Sequence, residues 1–140
     1  MTSENDSVKI LAPGAIFLLP NGGRRYHMGT MSAVFKADEN ETEEKYSVSE
    51  WWLEPNSSGP GPHSHEANDE VFYVIEGTAS LLVGVQWIEG GKGSFFLIPA
   101  KIIHDFRNTS NEKTGLLNFW IPGGFERNME GIVKWFKENR

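Results

Sequence analysis

The sequence predicts an all-β domain, an antiparallel sandwich or barrel, followed by one C-terminal α-helix. Its 140 residues suit a single domain, and 39% hydrophobic and 23% charged residues are ordinary values for a globular protein. Short runs of alternating or β-rich character recur along the chain, and turn-forming residues such as Asn21-Gly22-Gly23 and Gly90-Gly91 separate them. Many short strands at regular spacing are typical of sandwiches and barrels.

Each predicted strand is a run of β-branched, aromatic or alternating residues. No internal repeat indicates a second domain of the same kind. In chain order the predicted strands are Ala15–Leu19, Tyr26–Phe35, Tyr46–Glu54, Glu70–Glu76, Ala79–Val83, Gln86–Glu89, Ser94–Ile98, His104–Arg107 and Leu116–Ile121. We expect a mobile polar segment over residues 1–12, a β-barrel over 13–124 and a helical tail over 125–140.

The predicted helix runs from about Glu126 to Glu138. Phe125, Met129, Ile132 and Phe136 recur at intervals of four, three and four, which places them on one face of a helix. This apolar stripe indicates that the helix packs on the outside of the barrel. A position as a lid over the barrel mouth, or at a dimer contact, stays open as an alternative.

Charge and composition exclude several classes of function. The net charge is −6 with no run of Lys or Arg, so nucleic acid is not an expected partner. No apolar stretch approaches the length of a membrane span. The N-terminal residues do not have the pattern of a signal peptide, which indicates a cytoplasmic protein. The chain has no cysteine, and this excludes disulfides and thiolate metal sites.

Residue types that bind metals form the most informative pattern. His63 and His65 are two residues apart, so on a strand they would face the same side. Glu70 follows closely, and His104 comes much later, from a different predicted strand. Imidazole binds Zn, Cu, Fe and Ni, and a carboxylate extends the range towards harder ions such as Mn. The set therefore predicts a metal site with three nitrogen donors and one oxygen donor.

These residues also carry a family resemblance. Two segments resemble the paired motifs of the cupins, namely His63-x-His65-x4-Glu70-x6-Gly77 and Gly93-x5-Pro99 followed by His104 and Asn108. The short separation of the two motifs resembles that of small single-domain cupins. The segment Pro122-Gly123-Gly124-Phe125-Glu126 resembles the tail of the quercetin-dioxygenase-like group. The resemblance implies a jelly-roll barrel.

Two positions depart from the motifs. Ser57 stands where the first motif usually has Gly, and Lys101 replaces the Gly that normally follows the Pro of the second motif. Neither position is a ligand. Lys101 could alter the turn, because Gly tolerates a positive φ and Lys does so poorly. Asn108 is expected to support the turn after His104 through its side-chain amide.

The resemblance implies one divalent transition-metal ion, with His63, His65, Glu70 and His104 as ligands. Four protein ligands leave one or two coordination positions open for substrate, water or dioxygen. Fe or Mn is favoured, and Ni, Cu, Co and Zn are compatible. In quercetin-dioxygenase-like cupins the residue matching Glu70 can also take a proton from the substrate. We therefore treat Glu70 as a candidate catalytic base, with a role as ligand alone as the alternative.

Aromatic and aliphatic residues are expected to wall the site. Phe72 and Val74 share a face with Glu70 by the two-residue period of a strand, and Phe106 shares a face with His104. Trp52 and Phe119 are further candidates without an assigned facing. Such residues also fill ordinary barrel cores, so each has a purely structural alternative. Arg24 and Arg25 could approach an anionic substrate, although two arginines after a Gly-Gly turn more often belong to a solvated loop.

The favoured function is a metal-dependent oxygenase that acts on a small aromatic or enolisable substrate. One alternative is a metal-dependent lyase or isomerase, since small cupins resembling hydroxynitrile lyases share the motifs, and another is a cupin that binds a metal or small ligand without turnover. We also expect a homodimer. The resemblance to cupins, many of which are dimers, implies it, and open sheet edges favour pairing. Trp51 and Trp52 are adjacent and must face opposite sides of their strand.

Overall fold

The computed structural model describes residues 8–139, in which eleven β-strands precede a C-terminal helix. The first six strands are β1 (Lys9–Ala12), β2 (Ala15–Phe17), β3 (Arg24–Met28), β4 (Met31–Ala37), β5 (Ser47–Leu53) and β6 (Asp69–Glu76). The remaining strands are β7 (Thr78–Val83), β8 (Gln86–Gly91), β9 (Phe95–Ile98), β10 (His104–Arg107) and β11 (Thr114–Ile121). The helices are α1 (Glu39–Thr42) and α2 (Met129–Asn139), with a 3-10 helix, Phe125–Asn128, immediately before α2.

The strands form two main antiparallel sheets and one hairpin. The larger sheet has the order β3-β4-β5-β11-β6-β9, and the smaller has the order β10-β7-β8. The hairpin β1-β2 is a separate two-stranded sheet. Strand β11 lies beside both β5 and β6, so residues distant in sequence meet in the middle of the larger sheet. The observed fold confirms the prediction of an all-β domain with a C-terminal helix.

The core lies between the inner faces of the two main sheets. Strand β5 shows how the sequence builds it, since the odd-numbered residues Ser47, Ser49, Trp51 and Leu53 are buried and the residues between them are partly exposed. Phe72 and Val74 of β6 reach the same core, as do residues from β4, β7, β10 and β11. Burial of these apolar side chains is the main favourable contribution to stability.

Two predicted segments are corrected by the structure. The predicted strand Tyr26–Phe35 is a hairpin, with a turn at Gly29 and Thr30 between β3 and β4. Gly29 has a φ of +65°, a conformation that suits Gly at a tight turn. Within the expected mobile segment over 1–12, residues 9–12 form β1, which pairs with β2. Residues 1–7 of that segment lie outside the described residues.

The C-terminal helix begins later than predicted, because a 3-10 helix occupies the first turn. Met129, the first residue of α2, is completely buried, and Ile132, Val133 and Phe136 pack against the core. The contacts of α2 with the barrel involve β3. Within the described residues, no helix combines the length and the apolar character needed to cross a membrane.

Candidate metal centre

The structure brings the four predicted ligand residues together. One ligand atom from each of His63, His65, Glu70 and His104 lies within 4.8 Å of the others. Glu70 is the second residue of β6, and His104 is the first residue of β10. His63 and His65 come from the loop between β5 and β6. The site therefore spans both main sheets, and the barrel holds its geometry.

Backbone hydrogen bonds fix His63 against His104. The amide of His63 donates to the carbonyl of His104 at 3.0 Å, and the amide of His104 donates back at 2.8 Å. The loop before His63 approaches β10 closely at Gly59, where a Cβ atom would lie 1.7 Å from the carbonyl oxygen of Phe106. Only a residue without a side chain fits there. This contact positions the first histidine ligand beside the last one.

The hydrogen bonds of the imidazole rings set which nitrogen faces the site. Nδ1 of His63 lies 2.7 Å from the carbonyl oxygen of Gly61, and Nδ1 of His104 lies 2.9 Å from that of Ile102. A carbonyl only accepts, so each Nδ1 carries the proton and the neutral ring has its lone pair on Nε2. Backbone carbonyls commonly orient metal-binding histidines in this way.

Glu70 lies between two of the histidines and is only 5% exposed. Its carboxylate oxygens are 3.1 Å from Nε2 of His65 and 3.3 Å from Nε2 of His104. Burial alone would raise the pKa of Glu70, but the interactions with His104 and His65 outweigh it and lower the pKa to about 2. The carboxylate therefore stays ionised, as a metal ligand must.

The pKa values of His63 and His104 are shifted in opposite directions. Burial, together with the neighbouring His104 and His65, lowers the pKa of His63 below its ordinary value. Burial acts in the same direction on His104, but Glu70 and the carbonyl of Ile102 raise its pKa overall. Nε2 of His65 and Nε2 of His104 are buried and lack hydrogen-bond geometry towards any partner in the described residues, although Glu70 is near. Three imidazoles, two of them with a buried Nε2 atom of this kind, and one carboxylate fit a divalent transition-metal ion.

A small internal cavity of about 50 Å³ adjoins the ligands. Its walls are mostly apolar, and Phe72 and Phe106 are part of them, as the strand periodicity predicted. The full lining is Met28, Met31, Trp51, Pro60, His63, Glu70, Phe72, Phe106, Asn118, Phe125, Ile132 and Phe136.

Three other predicted wall residues lie elsewhere. Trp52 faces away from the core, with its indole Nε1 donating to Glu50 and its ring packed over Gly115. Phe119 lies in an outer groove with residues of β2, because it alternates with the inward-facing Asn118 and Trp120. Trp52 and Phe119 therefore do not line the cavity beside the predicted ligands. Val74 is completely buried in the core and is not part of the cavity wall.

The structure adds wall residues that the sequence reasoning missed. Trp51, rather than Trp52, faces inwards, and Asn118 is a polar side chain of the wall that is not a predicted ligand. Asn118 is nearly buried, and its side-chain amide donates to the carbonyl of Val71 at 3.3 Å. Phe125 and α2 close the side of the cavity above these strands. The alternation of β5 showed that only one of Trp51 and Trp52 could face the core, but it did not show which one.

The turn that follows the second motif has an unusual backbone at Lys101. Its φ is +74°, in the left-handed region that Gly adopts without strain, and its amide donates to the carbonyl of His65 at 2.7 Å. Asn108 supports its own turn as expected, since its amide nitrogen donates to the carbonyl of Glu112 at 2.6 Å and its oxygen accepts from the amide of Ser110 at 2.9 Å. Both turns hold ligand-bearing segments in place.

Comparisons with known proteins identify the family of this fold. The Cupin domain family matches residues 49–121. A quercetin 2,3-dioxygenase of Bacillus subtilis is 34% identical over 64 residues, which are 46% of this chain and 19% of that enzyme. An uncharacterised protein of Streptomyces coelicolor is 34% identical over 61 residues, 44% of this chain and 55% of that protein. The match thus spans about a fifth and about half of the lengths of these relatives.

Solved structures show the same fold. An RmlC-like cupin from Shewanella frigidimarina has a TM-score of 0.68 at 16% identity, covering 79% of this chain and 94% of that one. Oxalate decarboxylase of Bacillus subtilis, in a study of its Mn(II) centres, has a TM-score of 0.66 at 19% identity, covering 75% of this chain and 29% of that one. The strands described above form a cupin jelly roll, and the chain belongs to the cupin family.

Proposed function

We propose that this cupin binds one divalent transition-metal ion through His63, His65, Glu70 and His104 and acts as an oxygenase on a small aromatic or enolisable substrate. The main support for this proposal is that these four donors converge beside a cavity with aromatic walls. The partial identity to a quercetin dioxygenase supports the choice of reaction class.

The ion would supply a Lewis acid and open coordination positions at the inner end of the cavity. Its identity is proposed as Fe or Mn, on the basis of one carboxylate among three imidazoles. The Mn(II) centres of the structurally similar oxalate decarboxylase support the same choice. Ni, Cu, Co and Zn are compatible with the donors and belong in the same test.

The protein's own residues have three tasks in this proposal. His63, His65 and His104 hold the ion, with two of the rings oriented by backbone carbonyls. Phe72, Phe106 and Trp51 wall the cavity of about 50 Å³ next to it, which has room for the oxygen-bearing edge of an aromatic substrate but not for the whole molecule. The pocket thus favours a flat apolar substrate body with its oxygen atoms towards the ligands.

Glu70 is proposed as a ligand and as the candidate base that accepts a proton from a substrate hydroxyl. Its position between His65 and His104 supports the first role. The low pKa makes the carboxylate a weak base, which limits the second role. A substitution that keeps the size and removes the charge separates the two roles, as described in the Discussion.

A homodimer is part of the proposal. The larger sheet ends at β3 and β9 and the smaller sheet at β8, and these edges pair with no other strand in residues 8–139. The edge of β10 is covered by backbone hydrogen bonds to the loop that carries His63. Such edges favour association with a second chain unless they are covered.

Oxygen consumption tests the proposed reaction. The purified protein would be loaded separately with Fe(II), Mn(II), Ni(II), Cu(II), Co(II) and Zn(II), and offered catechols, flavonols and 1,3-diketones in an oxygen electrode. We expect substrate-dependent oxygen uptake with Fe or Mn that stops in an anaerobic chamber. Turnover that continues without oxygen would instead establish the lyase or isomerase alternative. Metal binding with no turnover of any substrate would favour a binding role.

A further inference from the structure

We propose that α2 and the 3-10 helix before it form a selective entrance to the metal centre, one that admits neutral aromatic molecules and rejects small anions. This inference rests on the proposed function and names the substrate class and the residues that select it. Phe125, Ile132 and Phe136 carry the selection.

A second cavity of about 310 Å³ lies outside the inner one and shares five of its wall residues. The shared residues are Pro60, His63, Phe125, Ile132 and Phe136. His63 is therefore reached from both spaces, and the two cavities follow one another along a single route. Trp135 completes the outer wall and is 56% exposed, which places it at the solvent end. A molecule taking this route passes along α2 before it meets a predicted ligand.

The helix is anchored firmly enough to act as a wall. Met129 is completely buried, and Ile132, Val133 and Phe136 pack against the barrel core. Phe136 also lies against the β3–β4 turn, where its Cδ2 atom is 3.6 Å from the position of a Cβ on Gly29. Because these contacts hold one face of α2, the side chains that line the route keep a defined spacing.

Before it reaches the proposed metal ion, an anion on this route meets no Lys or Arg side chain. Within the described residues, neither cavity is lined by Lys or Arg. The sequence offered two arginines of β3 for anion binding. Arg24 is paired with Asp38 at 2.6 Å and Glu41 at 2.7 Å, and Arg25 lines neither cavity and donates to the carbonyl of Asn21 at 3.3 Å. Arg127 of the 3-10 helix is paired with Glu39 and Glu44. Moving a carboxylate from water into an apolar passage without a partner is costly.

The aromatic lining favours the opposite class of molecule. Phe125 and Phe136 on the route, with Trp51, Phe72 and Phe106 at its inner end, offer ring edges and faces to a planar guest. A neutral diphenol loses far less hydration free energy than a dianion when it leaves water. Its oxygen atoms can reach the side of the cavity where the predicted metal ligands lie. Because a dianion must lose its hydration on the way in, such a route admits catechol faster than oxalate, before any chemistry takes place.

Stopped-flow tryptophan fluorescence tests this proposal, with the metal-loaded full chain mixed with catechol or with oxalate under anaerobic conditions and metal content measured on every sample. We expect catechol to associate with the wild type at least tenfold faster than oxalate. Ile132→Trp narrows the route and should slow catechol association about tenfold at unchanged metal content. Ile132→Ala widens it and should raise the relative association rate of the larger naphthalene-2,3-diol. Lys134→Ala, on the exposed side of the same helix, should match the wild type.

Association of oxalate with the wild type that is as fast as that of catechol, or faster, would overturn the proposal, as would no catechol binding at all. If Ile132→Trp does not fold, the Ile132→Ala variant decides, and an unchanged preference between catechol and naphthalene-2,3-diol would overturn the assignment of α2 as the selecting wall. A wild type that binds no metal would refute the proposed function instead, and catechol binding would still report on the route.

Discussion

Gly59→Ala should destabilise the protein and weaken its metal site together. The new Cβ would lie 1.7 Å from the carbonyl oxygen of Phe106, and Cβ atoms essentially never approach within 3.0 Å. Loop and strand must therefore separate by about 1.3 Å, the difference between these two distances. Forcing extra volume into a packed contact costs about 1–3 kcal/mol. The same shift moves the segment that leads to His63, whose ring must stay beside His104.

Urea unfolding measures the cost, and calorimetric titration with Mn(II) measures the metal affinity. Gly131→Ala is the matched control, because Gly131 lies in α2 and a Cβ there meets nothing within 4 Å. Alanine favours a helix over glycine by about 1 kcal/mol, so the control should be more stable than the wild type. A Gly59→Ala protein with wild-type stability and metal affinity would refute the close-approach reasoning.

Three further predictions concern single positions and assembly. Glu70→Gln at full metal occupancy should lower turnover about 10²–10⁴-fold if Glu70 is the base, whereas recovery of wild-type turnover in excess metal would leave it a ligand only. Lys101→Gly should raise the free energy of unfolding by about 0.5–1 kcal/mol, because relief of the left-handed strain exceeds the cost of the added entropy of the unfolded chain. A thermal unfolding midpoint that does not rise would contradict this. Light scattering at micromolar concentration should give the mass of a dimer rather than 15.7 kDa, and a monomeric mass would exclude the homodimer.

The grouping of the ligands was predictable from sequence because it depends on motif spacing and residue type. His63, His65 and Glu70 fall within eight residues, and a motif of its own marks His104. The facing of Phe72 followed from Glu70 by the period of a strand. Once one residue of a strand is known to face inwards, the side that each neighbouring residue faces is known as well.

The remaining wall residues were not predictable because their strands had no such reference point. Trp51 and Trp52 are equally apolar, and only the pairing of β5 with β4 and β11 shows that Trp51 faces the core. The facing of Phe119 could not be assigned for the same reason. The stripe on α2 showed that one face is buried, but the partner of that face depends on the chain's path after β11. The sequence therefore could not distinguish an outer helix from one at the entrance to the site.

Elemental analysis of purified wild-type protein and of the His63→Ala/His65→Ala double variant tests the central claim most directly. His27→Ala is the matched control, because His27 is exposed on β3 and lies outside the cluster. We predict about one divalent transition-metal ion per chain in the wild type and in the control. The double variant should keep the circular dichroism spectrum of a folded barrel and contain almost no metal. Stoichiometric metal in the folded double variant, or none in the wild type after incubation with Fe(II) and Mn(II), would contradict the assignment.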